Sequence, residues 1–166
     1  VQVMIHAVGP DAIDDILTFF ERVTKQNCPR DRRFRVEHAH NARIADLPRI
    51  ETLLNRVNAL APAHDHGNVL AYLGVLDCLR PESLGGKPTR GQERLQAADA
   101  VDAGRNLLPK VLNAEYCARL LFDQEGHDRM LADVMAADAN VPGLTLSNTI
   151  AKRRAAELVE SGKDYF

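Results

Sequence analysis

Histidine is concentrated near the start of the chain, with a spacing that suits metal binding. Five of the six histidines fall in the first 66 residues, namely His6, His38, His40, His64 and His66. Neutral imidazole binds zinc, manganese, iron and cobalt, and three protein ligands plus a water form a hydrolytic zinc site. Two histidines one residue apart on an extended segment share a face. The pattern predicts that all five, or a subset, hold one or two divalent ions, with zinc favoured.

Two carboxylates accompany these histidines and are the candidate catalytic residues. Asp65 could orient an imidazole or act as a general base, although capping the helix that follows Gly67 explains it equally well. Glu37 points away from His38 if the strand is regular, so we expect it to support a ligand or pair with a nearby arginine. Metal-bound water alone is the third candidate for the base.

Two features further along the chain could also bind a ligand or partner. His127 lies in the segment QEGHD near a predicted helix start, and we expect it at the surface. Arg153 and Arg154 could bind an anionic group. A solvated helix face or an intersubunit salt bridge are the alternatives for this pair.

Composition narrows the function classes. Lys plus Arg is 21 and Asp plus Glu is 23, giving a net charge of −2, which favours neither nucleic acid nor an anionic membrane as a partner. The apolar runs are much shorter than the roughly 20 residues that span a bilayer. Three widely spaced cysteines, Cys28, Cys78 and Cys117, make a disulfide framework unexpected and favour a reducing compartment. With no signal peptide in this sequence, we expect a cytoplasmic location.

Apolar periodicity predicts a mainly α-helical protein. Residues 1–8 and 33–38 alternate as strands do, and each is followed by apolar residues at helical spacing. From residue 67 onward the spacing is helical only. We expect about seven helices in one compact domain over residues 1–166, arranged as a tetratricopeptide-like antiparallel array or bundle. A short N-terminal β-α-β-α remnant would be the part that is not purely helical.

The first 52 residues resemble a fragment of the amidohydrolase superfamily, of the amidohydrolase-3 type. The matching segments are IHAVGPDAID at 5–14 and RRFRVEHAHNARIADLPRI at 32–50. In that family each segment is a barrel strand with its helix, and the histidine at the strand end binds a catalytic divalent metal. The resemblance implies this role for His6 and His38.

Residues 53–166 resemble the T component associated with TRAP transporters. The segments that carry the resemblance are LLNRVNALAPAHDHGNVLAYLGVL, LRPESLGGKP and VMAADANVPGLTLSNTIAKRRAAELVESGKDYF. The resemblance implies an all-helical, tetratricopeptide-like, oligomeric periplasmic protein that assists ligand uptake. The whole chain is therefore interpreted as a chimera of two families.

These observations lead to two function hypotheses. The first is a metal-dependent hydrolase of broad specificity, in which metal-bound hydroxide attacks a small-molecule phosphoester. The second is a non-enzymatic ligand-binding or scaffold protein of the T-component type. Both predict a homo-oligomer, because a fragment of a barrel and a truncated helical array each leave apolar faces open.

Overall fold

The chain divides into two compact units. The computed structural model describes residues 4–27, 35–40 and 43–166. The first unit is Val1–Thr52 and the second is Leu53–Phe166. The boundary falls inside one helix, α2 (Leu47–Leu60). Whether the two units form a single domain stays a prediction.

The first unit begins with a strand, a helix and a second strand. They are β1 (Met4–Val8), α1 (Pro10–Gln26) and β2 (Arg35–His40), and a 3-10 turn at Ile44–Asp46 leads into α2. The strands pair in parallel, with an irregular step between Ala7 and Val8. Gly9 has φ 97°, a conformation that favours glycine, so the chain can turn directly from β1 into α1. This is the β-α-β-α start that the sequence predicts.

A small apolar cluster and a set of ion pairs stabilise the first unit. One face of α1 packs beneath β1, since its apolar residues recur every three or four positions. The buried members are Ala7, Ile13, Ile16, Leu17 and Phe20. Beside them, Arg43 and Arg49 both contact Asp14 of α1 and the buried carboxylate of Asp46. These arginines tie α1 to the start of α2.

The second unit contains helices in the described residues and no strand. After a 3-10 turn at His64–Gly67 come α3 (Asn68–Cys78) and α4 (Pro88–Val101), and the chain ends with α7 (Gln124–Ala136) and α8 (Thr145–Tyr165). Between these pairs runs a continuous helical rod made of α5 (Leu108–Leu112), a π-helical segment (Asn113–Ala118) and α6 (Arg119–Leu121).

The rod contributes to two apolar clusters. Ala114 of the π segment joins one cluster with α7 and α8, which also contains Leu107, Val111, Leu131, Val134, Ala151, Ala155 and Leu158. Cys117, one turn later, joins a second cluster with Ala71, Cys78, Leu95 and Ala98 of α3 and α4. Successive helices therefore pack in an array, and the prediction of a mainly helical fold is confirmed.

Cys78 and Cys117 form a disulfide between α3 and the π segment. Both cysteines are buried. Gly91 of α4 makes room for the bridge, because a Cβ there would collide with the Cys78 sulfur. The expectation that the cysteines form no disulfide is therefore wrong for this pair. Their separation of 39 residues hid the contact, since only the crossing of the helices brings them together. Cys28 lies outside the described residues.

In the described part of the chain, no helix is both long enough and apolar enough to cross a membrane.

Candidate functional site

Four of the predicted site residues lie on the two strands. His6 is in β1, while Glu37, His38 and His40 are in β2. In the backbone register His6 lies opposite Glu37, and His40 lies opposite Val8. The side chains of these four residues are outside the described part of the structure, so their role as metal ligands or supporting groups stays a prediction.

His64, Asp65 and His66 lie in the turn before α3, which has an unusual backbone. Asp65 has φ 51° and His66 has φ 54°, and Gly67 follows with φ 83°. Left-handed conformations are costly for residues with a Cβ and normally occur singly. Surrounding interactions must therefore stabilise this turn.

A buried carboxylate holds the His66 side chain. The imidazole Nδ1 donates to Oδ2 of Asp102, 3.1 Å away, and the Asp102 side chain is only 8% exposed. Arg105 donates to the other oxygen of the same carboxylate. Because both carboxylate oxygens are used, Asp102 is satisfied within the fold and fixes His66 to the segment after α4.

Buried amides complete the support of the turn. The Asn106 side-chain NH₂ donates to the His66 carbonyl at 3.1 Å and to Oδ1 of Asn68 at 2.8 Å. Asn68 in turn donates to the Asp65 carboxylate at 3.1 Å. Asn148 of α8 accepts from the Leu107 backbone NH and donates to the Arg105 carbonyl. These contacts join the turn, the segment before α5 and the start of α8.

The geometry therefore gives the turn residues structural partners. Asp65 is exposed and accepts a hydrogen bond from the Asn68 side chain. The helix-capping role considered for Asp65 is not observed, because the N-terminus of α3 at Gly67 has no side-chain cap. His64 is exposed as well. Among the side chains that the structure describes, no group of three or more His, Cys, Asp or Glu is arranged to hold a metal ion. Divalent metal binding by the five histidines stays a prediction.

His127 differs from the sequence prediction. It is 0% exposed rather than at the surface, and its Nδ1 lies 2.9 Å from the Asp128 carboxylate. Gly162 of α8 leaves space for the ring, since a Cβ there would approach it to 2.9 Å, and the Phe166 ring packs edge-on at 5.1 Å between centroids. The long-range packing of α7 on α8 covers this residue, which local sequence could not indicate.

The two neighbouring arginines of α8, Arg153 and Arg154, differ in their contacts. Arg154 donates to Glu115 of the π segment and to Glu157, and these hydrogen bonds raise its pKa above the usual value. Arg153 is exposed and makes no hydrogen bond or ion pair with any residue in the described ranges. Only Arg154 therefore has an intramolecular role.

The network around Asp102, Asn106 and Asn148 was missed by the sequence analysis. One local sign was available, since Asp102-Ala103-Gly104-Arg105-Asn106 is rich in turn residues between two helical segments. Apart from the local pair Asp102–Arg105, the side chains and carbonyls that these residues contact include groups 36 to 43 positions away. Their burial and pairing could be found only from the packed helices.

Comparison with known proteins connects most of the chain to one family. A family model described as TRAP transporter T-component matches residues 31–166. The match includes the entire second unit and also β2 and the start of α2, so it begins well before the boundary at 53 inferred from the sequence.

A shorter likeness joins the chain to a plant protein. Forty residues are 55% identical to Protein LONG AFTER FAR-RED 3 of Arabidopsis thaliana, covering 24% of this chain. The chain spans about 7% of the length of that relative. The amidohydrolase part of the proposed chimera stays a prediction.

The family match corrects the first function hypothesis. A metal-dependent hydrolase acting on small-molecule phosphoesters is wrong, because the matching family is a transporter component and not a hydrolase. The catalytic roles suggested for Asp65 and Glu37, and the zinc and phosphoesterase assignments, depended on that hypothesis. The second hypothesis agrees with the match over residues 31–166. The chain belongs to the TRAP transporter T-component family.

Proposed function

We propose that this protein is a non-enzymatic accessory component of a TRAP transporter, which acts by binding another protein of the transporter. The single observation that carries the proposal is the family match over residues 31–166. A transporter-associated protein thereby replaces the small-molecule substrate as the expected partner.

The internal polar network supports a scaffold role. Asp102 and the buried Asn106 and Asn148 are occupied in holding backbone turns and helix ends. A fully satisfied network of this kind makes a fold rigid and specific. Rigid helical surfaces favour protein binding, since little conformational entropy is lost on docking.

The disulfide supports a location outside the cytoplasm. Bridges such as Cys78–Cys117 form and persist in oxidising compartments and are rare in the cytosol. We therefore propose an extracytoplasmic location in place of the cytoplasmic one. The thiols of protein isolated from its native cells, blocked with a thiol reagent before lysis and weighed by mass spectrometry, test this point. Modification of Cys78 and Cys117 would contradict it.

Binding to purified transporter components tests the function. The chain is immobilised, and each of the other proteins of the TRAP transporter from the same cells is passed over it. We expect saturable binding to one of them, and slower uptake in cells that lack this chain. Components of an unrelated transporter serve as controls. Equal binding to both sets, or unchanged uptake, would contradict the proposal.

Size-exclusion chromatography with light scattering tests the predicted homo-oligomer in the same preparation. Several large apolar residues are exposed on the second unit, including Leu84, Phe122 and Leu146. Such residues support contact with a protein surface, either of a partner or of a further copy of the chain.

A further inference from the structure

The last turn of α8 lies over two buried polar side chains, and we call this turn, residues 162–166, the strap. Phe166 packs edge-on against the His127 ring, with 5.1 Å between the ring centroids. The Tyr165 ring lies 5.0 Å from Cζ of Arg119, and the Tyr165 hydroxyl donates to the Arg119 carbonyl at 3.2 Å. The strap therefore covers one side chain of α7 and one of α6.

Each covered side chain has a buried nitrogen without a hydrogen-bond partner in the described part of the chain. His127 is 0% exposed, and its Nδ1 lies 2.9 Å from Asp128, but its Nε2 has no partner there. Arg119 donates through Nη2 to the Leu158 carbonyl and to Ser161, but its buried Nε has no acceptor among these residues. A buried polar atom without a partner loses its hydration without compensation. Closure of the strap is therefore opposed at both contacts, because opening gives water access to both nitrogens.

Gly162 is a weak point between the strap and the rest of α8. Glycine has the lowest helix propensity after proline, since it loses the most backbone freedom in a helix. Glycine is nevertheless required here, because a Cβ on Gly162 would approach Cε1 of His127 to 2.9 Å. The Phe166 NH donates to the Gly162 carbonyl at 3.2 Å and closes the last turn. The residue that makes room for the His127 ring is thus also one that weakens the helix.

We propose that the strap is a conformational device, which opens at Gly162 while the rest of the second unit stays folded and so exposes His127. Local openings of this kind need less free energy than global unfolding. The body of α8 stays in place, because Ala155 and Leu158 belong to the apolar cluster shared with α7. In the open state the His127 imidazole, still beside Asp128 of the same helix, becomes accessible to solvent.

Chemical modification of His127 in the full chain measures the opening. Diethylpyrocarbonate reacts with accessible neutral imidazole nitrogens, and mass spectrometry of peptides follows each histidine at neutral pH. The exposed His64 reports the reactivity of an uncovered ring. We expect His127 to react more slowly than His64, at a rate that stays constant in urea too dilute to unfold the chain, since a small local opening exposes little surface. A rate as fast as that of His64, no reaction, or a rate that rises with urea in parallel with global unfolding would overturn the proposal.

Variants of the strap connect the opening to its contacts. Phe166→Ala removes the ring that covers His127 and should raise the modification rate of His127 about tenfold. Tyr165→Phe loses only the hydrogen bond to the Arg119 carbonyl and should raise the rate about threefold. Tyr72→Ala removes a similarly exposed ring from α3 and should leave the rate unchanged. Equal rates in all three variants would show that the strap contacts do not control access to His127.

Replacing the histidine distinguishes the strap from an ordinary frayed helix end, whose opening does not depend on residue 127. In His127→Phe an apolar ring fills the site and no buried nitrogen lacks a partner there, so amide hydrogen exchange in residues 162–166 should slow about fivefold. His127→Leu repeats the test with a side chain that leaves more room beside Gly162. Amides of residues 151–158 serve as the internal reference and should exchange as in the wild type. Unchanged exchange of the strap in both variants would overturn the proposal.

Discussion

In the first unit two arginines hold α1 to α2 through carboxylates, whereas in the second unit buried apolar side chains and a disulfide join the helices. Arg43 and Arg49 contact Asp14 and Asp46 at distances of 2.6 to 3.3 Å. The second unit places eight buried residues in one cluster and five in another. The first unit also has an apolar cluster of five buried residues, so the two regions differ in the balance of these forces rather than in their kind, and ion pairs contribute more in the first.

This difference has consequences for how each unit responds to its surroundings. Ion pairs near the surface weaken with salt and with acid, while apolar burial and a covalent bridge do not. The second unit also contains charged groups, such as Asp77 with Arg90 and Arg94, but these accompany a packed interior. We therefore expect the first unit to open before the second when pH falls or salt rises.

Removing the disulfide should have the largest effect and should be confined to the second unit. The cysteines are 39 positions apart, so the loop-closure estimate for Cys78→Ala combined with Cys117→Ala is a loss of about 4 kcal/mol. Urea unfolding followed by circular dichroism measures it. Cys28→Ala leaves this bridge intact and serves as the control. A double variant as stable as the wild type would show that the bridge contributes nothing to the second unit.

Shortening a core leucine should cost slightly less. Leu131 is fully buried between the helices, so Leu131→Ala should lower the free energy of unfolding by about 3 kcal/mol through lost burial and a cavity. Leu146→Ala makes the same chemical change on the solvent side of α8 and should stay within about 0.5 kcal/mol of the wild type. Similar losses at the two positions would contradict the burial described for α7 and α8.

Neutralising Asp46 should destabilise the first unit by a smaller amount. Its carboxylate is buried between Arg43 and Arg49, which donate to different oxygens. Asp46→Asn should cost about 2 kcal/mol, because the countercharge is lost and an NH₂ donor replaces one of the two oxygens that accept from the arginines. Hydrogen exchange of α1 amides measures local opening of this unit. Asp11→Asn alters an exposed carboxylate 3.7 Å from Arg43 and should change little. Faster exchange in α8 rather than α1 would contradict the division into two units.

A fall in pH should change the stabilising contributions of two carboxylates, one in each unit, in opposite directions. Hydrogen bonds from Arg43 and Arg49 lower the pKa of Asp14, so its stabilising effect is present above the ordinary value of 3.8 and is lost as pH falls through the lowered folded pKa. Burial raises the pKa of Asp99 in α4, although Lys110 opposes this, so its contribution is present below 3.8 and lost as pH rises through the raised folded pKa.

Amide exchange between pH 2 and pH 7 compares these two groups. Asp14→Asn should remove part of the acid sensitivity of α1, whereas Asp99→Asn should stabilise α4 slightly at pH 7. The stabilisation by Asp99→Asn should be below about 0.5 kcal/mol. If both substitutions changed the pH dependence of amide exchange in the same direction, this part of the comparison would be contradicted.

Much of the local structure could be predicted from the sequence. The alternation before Gly9, the placement of Pro10 and the apolar spacing through Phe20 predict β1 and α1, and both are present. The helical pattern from residue 67 onward likewise predicts the helices of the second unit. Such patterns repeat within one or two turns, so they can be recognised without knowing the fold.

The candidate site was much less predictable. The clustered histidines predict a metal site because histidine is a common metal ligand. In the structure, however, His66 pairs with Asp102, 36 positions away, and His127 is buried. The single sequence contains no record of these pairings, because residue type does not state which distant group will lie opposite. The sequence presents Arg153 and Arg154 as equivalent neighbours, but in the fold Arg154 alone pairs with Glu115 and Glu157.

The sequence by itself determined where the chain turns into strand and helix, because backbone preference and apolar periodicity act over a few neighbouring residues. Tertiary structure alone decided that Cys78 meets Cys117, that Asn148 supports the backbone at Leu107, and that Arg153 remains unpaired within the described chain. These outcomes depend on how helices cross, and the crossing is set jointly by many side chains that are distant in sequence.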